Sequence, residues 1–315
     1  MRVAITGASG FIGAALVERH RLQGDAVRVL SRSTRRWPEG IEAHVADLTD
    51  SGTDAQRALQ RFADGADALY HCAGEYRDES RMEALHCGGT ERLLAAAQGW
   101  AGRWVQLSSV GAYGQRRDGT ITEDTPPAPR GLYETTKARA DDMVLEAAAA
   151  GHIDATLLRP SIVFGPRMPN QSLFQLINAL DRGRFFFIGA RGASANYVSV
   201  EGVIEALLLC STRAQARGRV YNLSDWCTLE SFIGAICVAL GKPMPRLRLP
   251  GLPVRAAAGV LQAVPGFPLT TSRVDALTNR SRYSIERIQS ELGYRHPVSL
   301  PSALGDMVKA WKQKR

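Results

Sequence analysis

Through the first two-thirds of the chain, short β-rich apolar runs alternate with longer stretches whose apolar residues recur at helical spacing. The runs Val3–Thr6, Ala26–Leu30, Ala43–Ala46, Ala68–His71, Trp104–Leu107 and Ala155–Arg159 read as strands. Ile12–Gln23, Asp54–Phe62, Ser80–Gln98 and Tyr133–Ala150 read as helices. Strand and helix in regular succession predict βαβ units, and right-handed crossovers join them into one doubly wound parallel sheet. After Leu157–Pro166 the rhythm lengthens, with helices expected at Ser172–Arg182, Glu201–Ser211, Leu229–Leu240 and Leu300–Lys312 and proline-rich joints near Lys242–Pro253 and Val264–Pro268. The expected architecture is α/β: a Rossmann-type doubly wound sheet over residues 1–165, with a smaller, mainly helical substrate lobe over 166–315. A strand near Val220–Leu223 is expected to return to the main sheet.

The first strand leads into a glycine turn and a helix, "VAITGASGFIGAAL" (Val3–Leu16), with glycines at 7, 10 and 13. Glycine lets the backbone turn tightly and approach a pyrophosphate, whose charge then rests on free N–H groups at the positive end of a helix. Gly7, Gly10, Phe11, Ile12 and Gly13 are therefore candidate cofactor contacts. At the end of the second strand, where an NAD site usually offers a carboxylate to the ribose hydroxyls, stand Ser31 and Arg32, followed by Arg35 and Arg36. A carboxylate would repel a 2′-phosphate, whereas serine and guanidinium bind one, so NADP is expected in preference to NAD.

Composition narrows the class further. The 315 residues, 45% hydrophobic and 22% charged, suit a soluble globular protein with a sizeable core. The net charge of +8 is scattered, and neither zinc-finger spacing nor an RNA-binding aromatic signature accompanies it. An anionic cofactor and a solvated basic surface account for it better than nucleic acid does. Five cysteines without a C-x-x-C pair and six unpaired histidines give no disulfide framework and no metal constellation. No run of about 18 apolar residues offers a membrane span, and the N-terminus reads as a strand rather than a signal peptide. The expected location is the cytoplasm. The apolar stretch Gly251–Pro268 carries one charge, Arg255, and is expected to be a lobe helix over the active site rather than a membrane-surface helix.

"YETTK" places Tyr133 and Lys137 one helical turn apart. A secondary alcohol gives up hydride only if its hydroxyl proton leaves too, and a carbonyl accepts hydride only if its oxygen is protonated. Free tyrosine titrates near ~10. A lysine ammonium one turn away, aided by a positive nicotinamide, is expected to lower that value. Ser109, at the carboxyl end of the fifth strand, can donate a hydrogen bond to the developing alkoxide.

The glycine turn, "ADL" (Ala46–Leu48), "HCAG" (His71–Gly74), "SSVGAYG" (Ser108–Gly114), "YETTK" and "RPSIVFGP" (Arg159–Pro166) occur in one order. In these motifs the sequence resembles the extended short-chain dehydrogenase/reductase family, the NAD-dependent epimerase/dehydratase type. Its tail, "YNLSD" (Tyr221–Asp225) and "ELGYRHPVSLPSAL" (Glu291–Leu304), looks most like the 3β-hydroxysteroid dehydrogenase and dihydroflavonol reductase branch. The resemblance implies Tyr133 as acid/base, Lys137 as its partner and Ser109 as the hydroxyl holding the substrate oxygen. It also implies Asp47 and Leu48 beside the adenine, Cys72, Ala73 and Gly74 along the cofactor, and Pro160 and Ile162 near the nicotinamide. Tyr133 and Lys137 would touch the cofactor as well. Family members often pair through the two long helices, so a homodimer is allowed.

Three departures from that pattern bear on the reaction. His86 stands where the family often has asparagine and is expected to be a spacer or cofactor contact. Val110 and Gly111 replace the Asp-Glu pair that dehydratases use to remove water. Ala195 and Asn196 replace the Arg-Asp with which nucleotide-sugar members hold a diphosphate, leaving Arg184 and Arg191 as substitutes. The expected function is an NAD(P)-dependent oxidoreductase interconverting a carbonyl and a secondary alcohol of a small-molecule substrate. An NAD-dependent nucleotide-sugar 4-epimerase and a non-catalytic dinucleotide-binding regulator are the alternatives.

Overall fold

In the computed structural model, which describes residues 1–100, 102–261 and 270–314, the β-rich runs assemble into one sheet. The strands in chain order are β1 (Arg2–Thr6), β2 (Ala26–Ser31), β3 (Ile41–Val45), β4 (Ala68–His71), β5 (Arg103–Leu107), β6 (Thr120–Ile121) and β7 (Asp154–Pro160). They continue as β8 (Ile162–Phe164), β9 (Phe187–Ile188), β10 (Ser194–Ser199), β11 (Val220–Leu223), β12 (Asp225–Thr228), β13 (Arg248–Leu249) and β14 (Arg282–Tyr283). Seven of them form a sheet in the order β11-β7-β5-β4-β1-β2-β3. Every pairing in it is parallel. Chain order reverses between β1 and β4, and such a switch point opens a crevice at the carboxyl ends of the strands.

The helices are α1 (Phe11–Leu22), α2 (Thr53–Ala63), α3 (Glu79–Glu83), α4 (Gly89–Ala96), α5 (Gly131–Ala149), α6 (Ser172–Asp181), α7 (Val200–Thr212), α8 (Leu229–Leu240), α9 (Gly251–Leu261), α10 (Thr271–Thr278), α11 (Glu286–Leu292) and α12 (Leu300–Gln313). α1 and α7 bury Leu16, Val17, Val203 and Leu207 against one face of the sheet. α2, α4 and α5 bury Leu59, Phe62, Leu93 and Val144 on the other. A sheet whose strands are apolar on both faces needs this double cover. A third cluster joins α6, α8 and α12 through Phe174, Ile177, Phe232, Ile236, Leu304 and Trp311.

One feature differs from the reading of the sequence, and one adds to it. The expected helix Ser80–Gln98 is interrupted by one wide π turn, Ala84–Gly88, between α3 and α4. The residues after 165 are mainly helical, from α6 to α12, and short strands are added to them: β10 and β12 pair antiparallel and join β8, just before the lobe, in a second sheet. The stretch from Gly251 is helical as far as Leu261; its remainder, and the joint at Val264–Pro268, lie outside the described residues.

Candidate active site

The glycine turn is shaped by close backbone approach. Gly7 has φ +63°, and a Cβ there would stand 2.5 Å from the Cys72 carbonyl oxygen. A Cβ on Gly13 would stand 2.2 Å from the Gly7 carbonyl oxygen, so strand, turn and helix pack at a spacing only glycine permits. Gly10 caps α1 without a side-chain hydrogen bond, and no acidic residue occupies the first turn. The positive end of α1 is thus left to accept an anion.

Beside it runs a groove of about 340 Å³ lined by Gly7, Gly10, Ser31, Arg32, Asp47, Leu48, Cys72, Ala73 and Gly74. Nine of the sequence-expected cofactor residues therefore share one wall. Ser33, Arg35, Glu75, Arg81 and Leu85 are also part of the lining. Arg81 and Glu75 were not anticipated, because neither falls in a recognisable motif. The Ser31 hydroxyl donates to the Ser33 carbonyl at 2.7 Å, and the Arg35 guanidinium lies over the Trp37 ring. Burial works to raise the Asp47 carboxyl, but hydrogen bonds from the Thr49 N–H and hydroxyl and the charges of Arg32 and Arg81 bring it below its ordinary value.

Phe11, Ile12, Gly13, Tyr133, Lys137, Pro160 and Ile162 stand outside that lining. Phe11 packs on both the main and the C-terminal apolar clusters, Ile12 joins the main cluster, and Pro160 ends β7. Ile162 opens β8 and is 51% exposed.

Ser109 begins a tight 3₁₀ turn, Val110–Tyr113, after β5, its hydroxyl accepting the Gly111 N–H at 3.1 Å. Lys137 is buried and its Nζ donates to the Leu107 carbonyl at 2.8 Å, tying α5 to the carboxyl end of β5. Burial lowers its pKa, opposed by Asp141 and by Cys72 in the groove wall. Tyr133 lies one turn earlier, its ring edge-on to that of His86 with centroids 5.6 Å apart. The expected lowering of its phenol is not what this protein environment produces: burial, then the charges of Asp141 and Glu134, raise it.

Behind Lys137 sits a network that sequence reading missed. Asp141, fully buried, accepts from Ser108 Oγ at 2.6 Å and from Arg159 Nη2 at 3.1 Å. Arg159 also donates to the Tyr113 hydroxyl, which donates to Asn222 Oδ1 at 2.8 Å. Asp141 falls four residues after Lys137 and so shares its helix face, the one signal that could have found it.

A family model of the NAD dependent epimerase/dehydratase family matches residues 3–224. The chain belongs to that family. It is 29% identical to sterol demethylase protein B of Methylococcus capsulatus, over all of this chain and 99% of that protein. It is also 29% identical to a 3 beta-hydroxysteroid dehydrogenase/Delta 5→4-isomerase of Mycobacterium tuberculosis, over 96% of this chain and 88% of that one. Among solved structures, a short-chain dehydrogenase/reductase superfamily protein from Agrobacterium tumefaciens with bound NAD superposes with TM-score 0.75 at 22% identity, covering 100% of this chain and 98% of its own. The family members it resembles are dehydrogenases, ketoreductases and epimerases, and this chain is an enzyme of the same NAD-dependent kind. Among the described residues no helix is long and apolar enough to cross a membrane, and no group of three histidine, cysteine or acidic residues could hold a metal.

Proposed function

We propose that the protein is an NADP-preferring oxidoreductase that interconverts a ketone or aldehyde and the matching secondary alcohol through Ser109, Tyr133 and Lys137. The observation that carries this reading is the buried Lys137. Its ammonium reaches the end of β5 beside the groove residue Cys72, while Tyr133 sits one turn earlier on the same helix. The cradle suits a dinucleotide: glycines at 7 and 13 let strand, turn and helix pack closely beside the groove, and the start of α1 has no side-chain cap. Arg32, Arg35 and Arg81 line the groove, and no carboxylate stands at position 31.

When bound, the dinucleotide supplies or takes up the hydride. Tyr133, held protonated by burial, gives its hydroxyl proton to the substrate oxygen in reduction and recovers it in oxidation. Lys137 stabilises the phenolate left behind, and Ser109 donates to the same substrate oxygen as it gains charge. Residues 166–315 supply the substrate side, and the long helices offer the pairing surface of a homodimer. All five cysteines are free, in keeping with a cytoplasmic location.

Tyr133→Phe tests the mechanism. Turnover of an identified substrate should fall by roughly 10²- to 10⁴-fold while NADPH binding persists, and unchanged turnover would refute the role of the phenol. Protein denatured after purification should release NADP.

The epimerase reading keeps one structural argument. A cavity of about 450 Å³ beside β9 and β13 is lined by Arg191, Arg246 and Arg248 and could take a diphosphate. Arg248 is already paired with Glu230 at 2.7 Å, and Ala195, where nucleotide-sugar members place their arginine, is buried. Release of tightly held NAD rather than NADP would favour this second reading.

A further inference from the structure

The π turn Ala84–Gly88 delivers His86 to the interior. Such a turn adds one residue to a helical turn, and it is frequent at functional positions. Both ring nitrogens of His86 are engaged. Nε2 accepts the backbone N–H of Glu75 at 2.9 Å. A nitrogen that accepts carries no hydrogen, so the neutral ring holds its proton on Nδ1. Nδ1 donates to Thr136 Oγ1 at 2.8 Å, and Thr136 passes its own hydrogen to the Leu132 carbonyl at 2.8 Å. Burial, with the Lys137 charge, brings the ring pKa down to about 4, so the neutral form persists at ordinary pH.

The two ends of this bridge are the two halves of the site. Glu75 follows Cys72, Ala73 and Gly74 in the groove wall. Its carboxylate accepts the N–H groups of Tyr76 and Arg77 at 2.9 Å, so the loop after β4 is held from both sides. Thr136 stands between Tyr133 and Lys137 on α5, and the imidazole itself packs against the Tyr133 ring.

We propose that His86 is a positioning residue: a neutral imidazole in the Nδ1–H tautomer that couples the dinucleotide groove to the helix carrying Tyr133 and Lys137. The inference rests on the reading of those two residues as the acid–base pair. A rigid five-membered ring spans acceptor to donor in a way that shorter amides split. Asparagine can restore only the donor toward Thr136, glutamine only the acceptor toward Glu75, and phenylalanine only the ring packing.

The test titrates NADPH fluorescence on the full-length wild type and on His86→Gln, His86→Asn and His86→Phe. Nitrogen-15 NMR reads the ring tautomer, with the His86 signals identified as those absent from His86→Gln. The wild type should bind NADPH and show an Nδ1–H ring. His86→Gln should bind within about threefold of it, and the other two should weaken binding about tenfold or more, roughly 1.4 kcal/mol. A wild type that binds no NADPH overturns the dinucleotide reading on which the inference rests. Asparagine and phenylalanine variants that bind as the wild type does, or an Nε2–H ring, overturn the role of His86 alone. If those two variants fail to fold, the tautomer and the glutamine titration still decide.

Discussion

Replacing Gly13 by alanine sets two effects of opposite sign against each other. In an open helix interior alanine is favoured over glycine by about 1 kcal/mol, so propensity alone predicts a more stable protein. Here the new Cβ would stand 2.2 Å from the Gly7 carbonyl oxygen and 2.8 Å from its carbon, both backbone atoms. Reaching ordinary contact needs a shift of about 1 Å. Gly7 cannot retreat, because it is pressed against Cys72 and its carbonyl accepts the Gly10 N–H at 2.8 Å. Because the opposing atoms are backbone, the cost falls at the upper end of the about 1–3 kcal/mol of forced overpacking, and after the propensity gain a net loss near 2 kcal/mol is expected. For 315 residues the unfolding entropy is about 0.7 kcal/mol/K, so Tm should fall by about 3 °C. The same shift moves the start of α1 away from the groove. NADPH at a hundred times its Kd should stabilise the wild type by about 2.7 kcal/mol, and the variant should gain much less. Differential scanning fluorimetry with and without NADPH reads both quantities. Gly40→Ala is the control: Gly40 has φ +84° with nothing near its missing Cβ, so it should lose stability through backbone strain while keeping the NADPH shift. A Gly13→Ala protein as stable as wild type, with its NADPH shift intact, would refute the close-approach argument.

Ser31→Asp places a carboxylate beside Arg32 and should weaken NADPH by about tenfold or more while sparing NADH, read by paired fluorescence titrations. Asp141→Asn removes a charge that raises both Tyr133 and Lys137, so both groups should titrate at lower pH. Carbonyl reduction needs the protonated phenol, so its alkaline limb should move to lower pH in the rate profile; movement to higher pH would contradict the assignment of Tyr133 as acid.

Legibility in the sequence tracked how local each cause is. Gly7, Gly10 and Gly13 are spaced by a turn whose demands are met within a few residues, and the structure sets Gly7 and Gly10 against the groove. Tyr133 and Lys137 declare their shared face through helical spacing, and Val220–Leu223 was readable as a strand of the main sheet. What stayed hidden depends on partners far along the chain. Nothing near His86 announces Thr136, fifty positions on, or the bare N–H of Glu75. The π turn is equally silent, since one extra residue in a turn barely disturbs a hydrophobic pattern that tolerates spacings of three or four. The raised phenol of Tyr133 shows the same limit: a neighbouring lysine is visible in sequence, whereas desolvation by the surrounding fold is not.

The strand β11 returns from the C-terminal half to lie outside β7, with Tyr221 opposite Leu158. Any chain cut at residue 165 therefore leaves β7 with an open row of backbone donors and acceptors along an apolar strand, a template for pairing between molecules. The chain up to residue 165 is thus not a detachable module. Its solubility is underwritten by residues more than fifty positions beyond its nominal end, and insertions that separate the two halves in sequence remain tolerable only while this last strand can still find its neighbour.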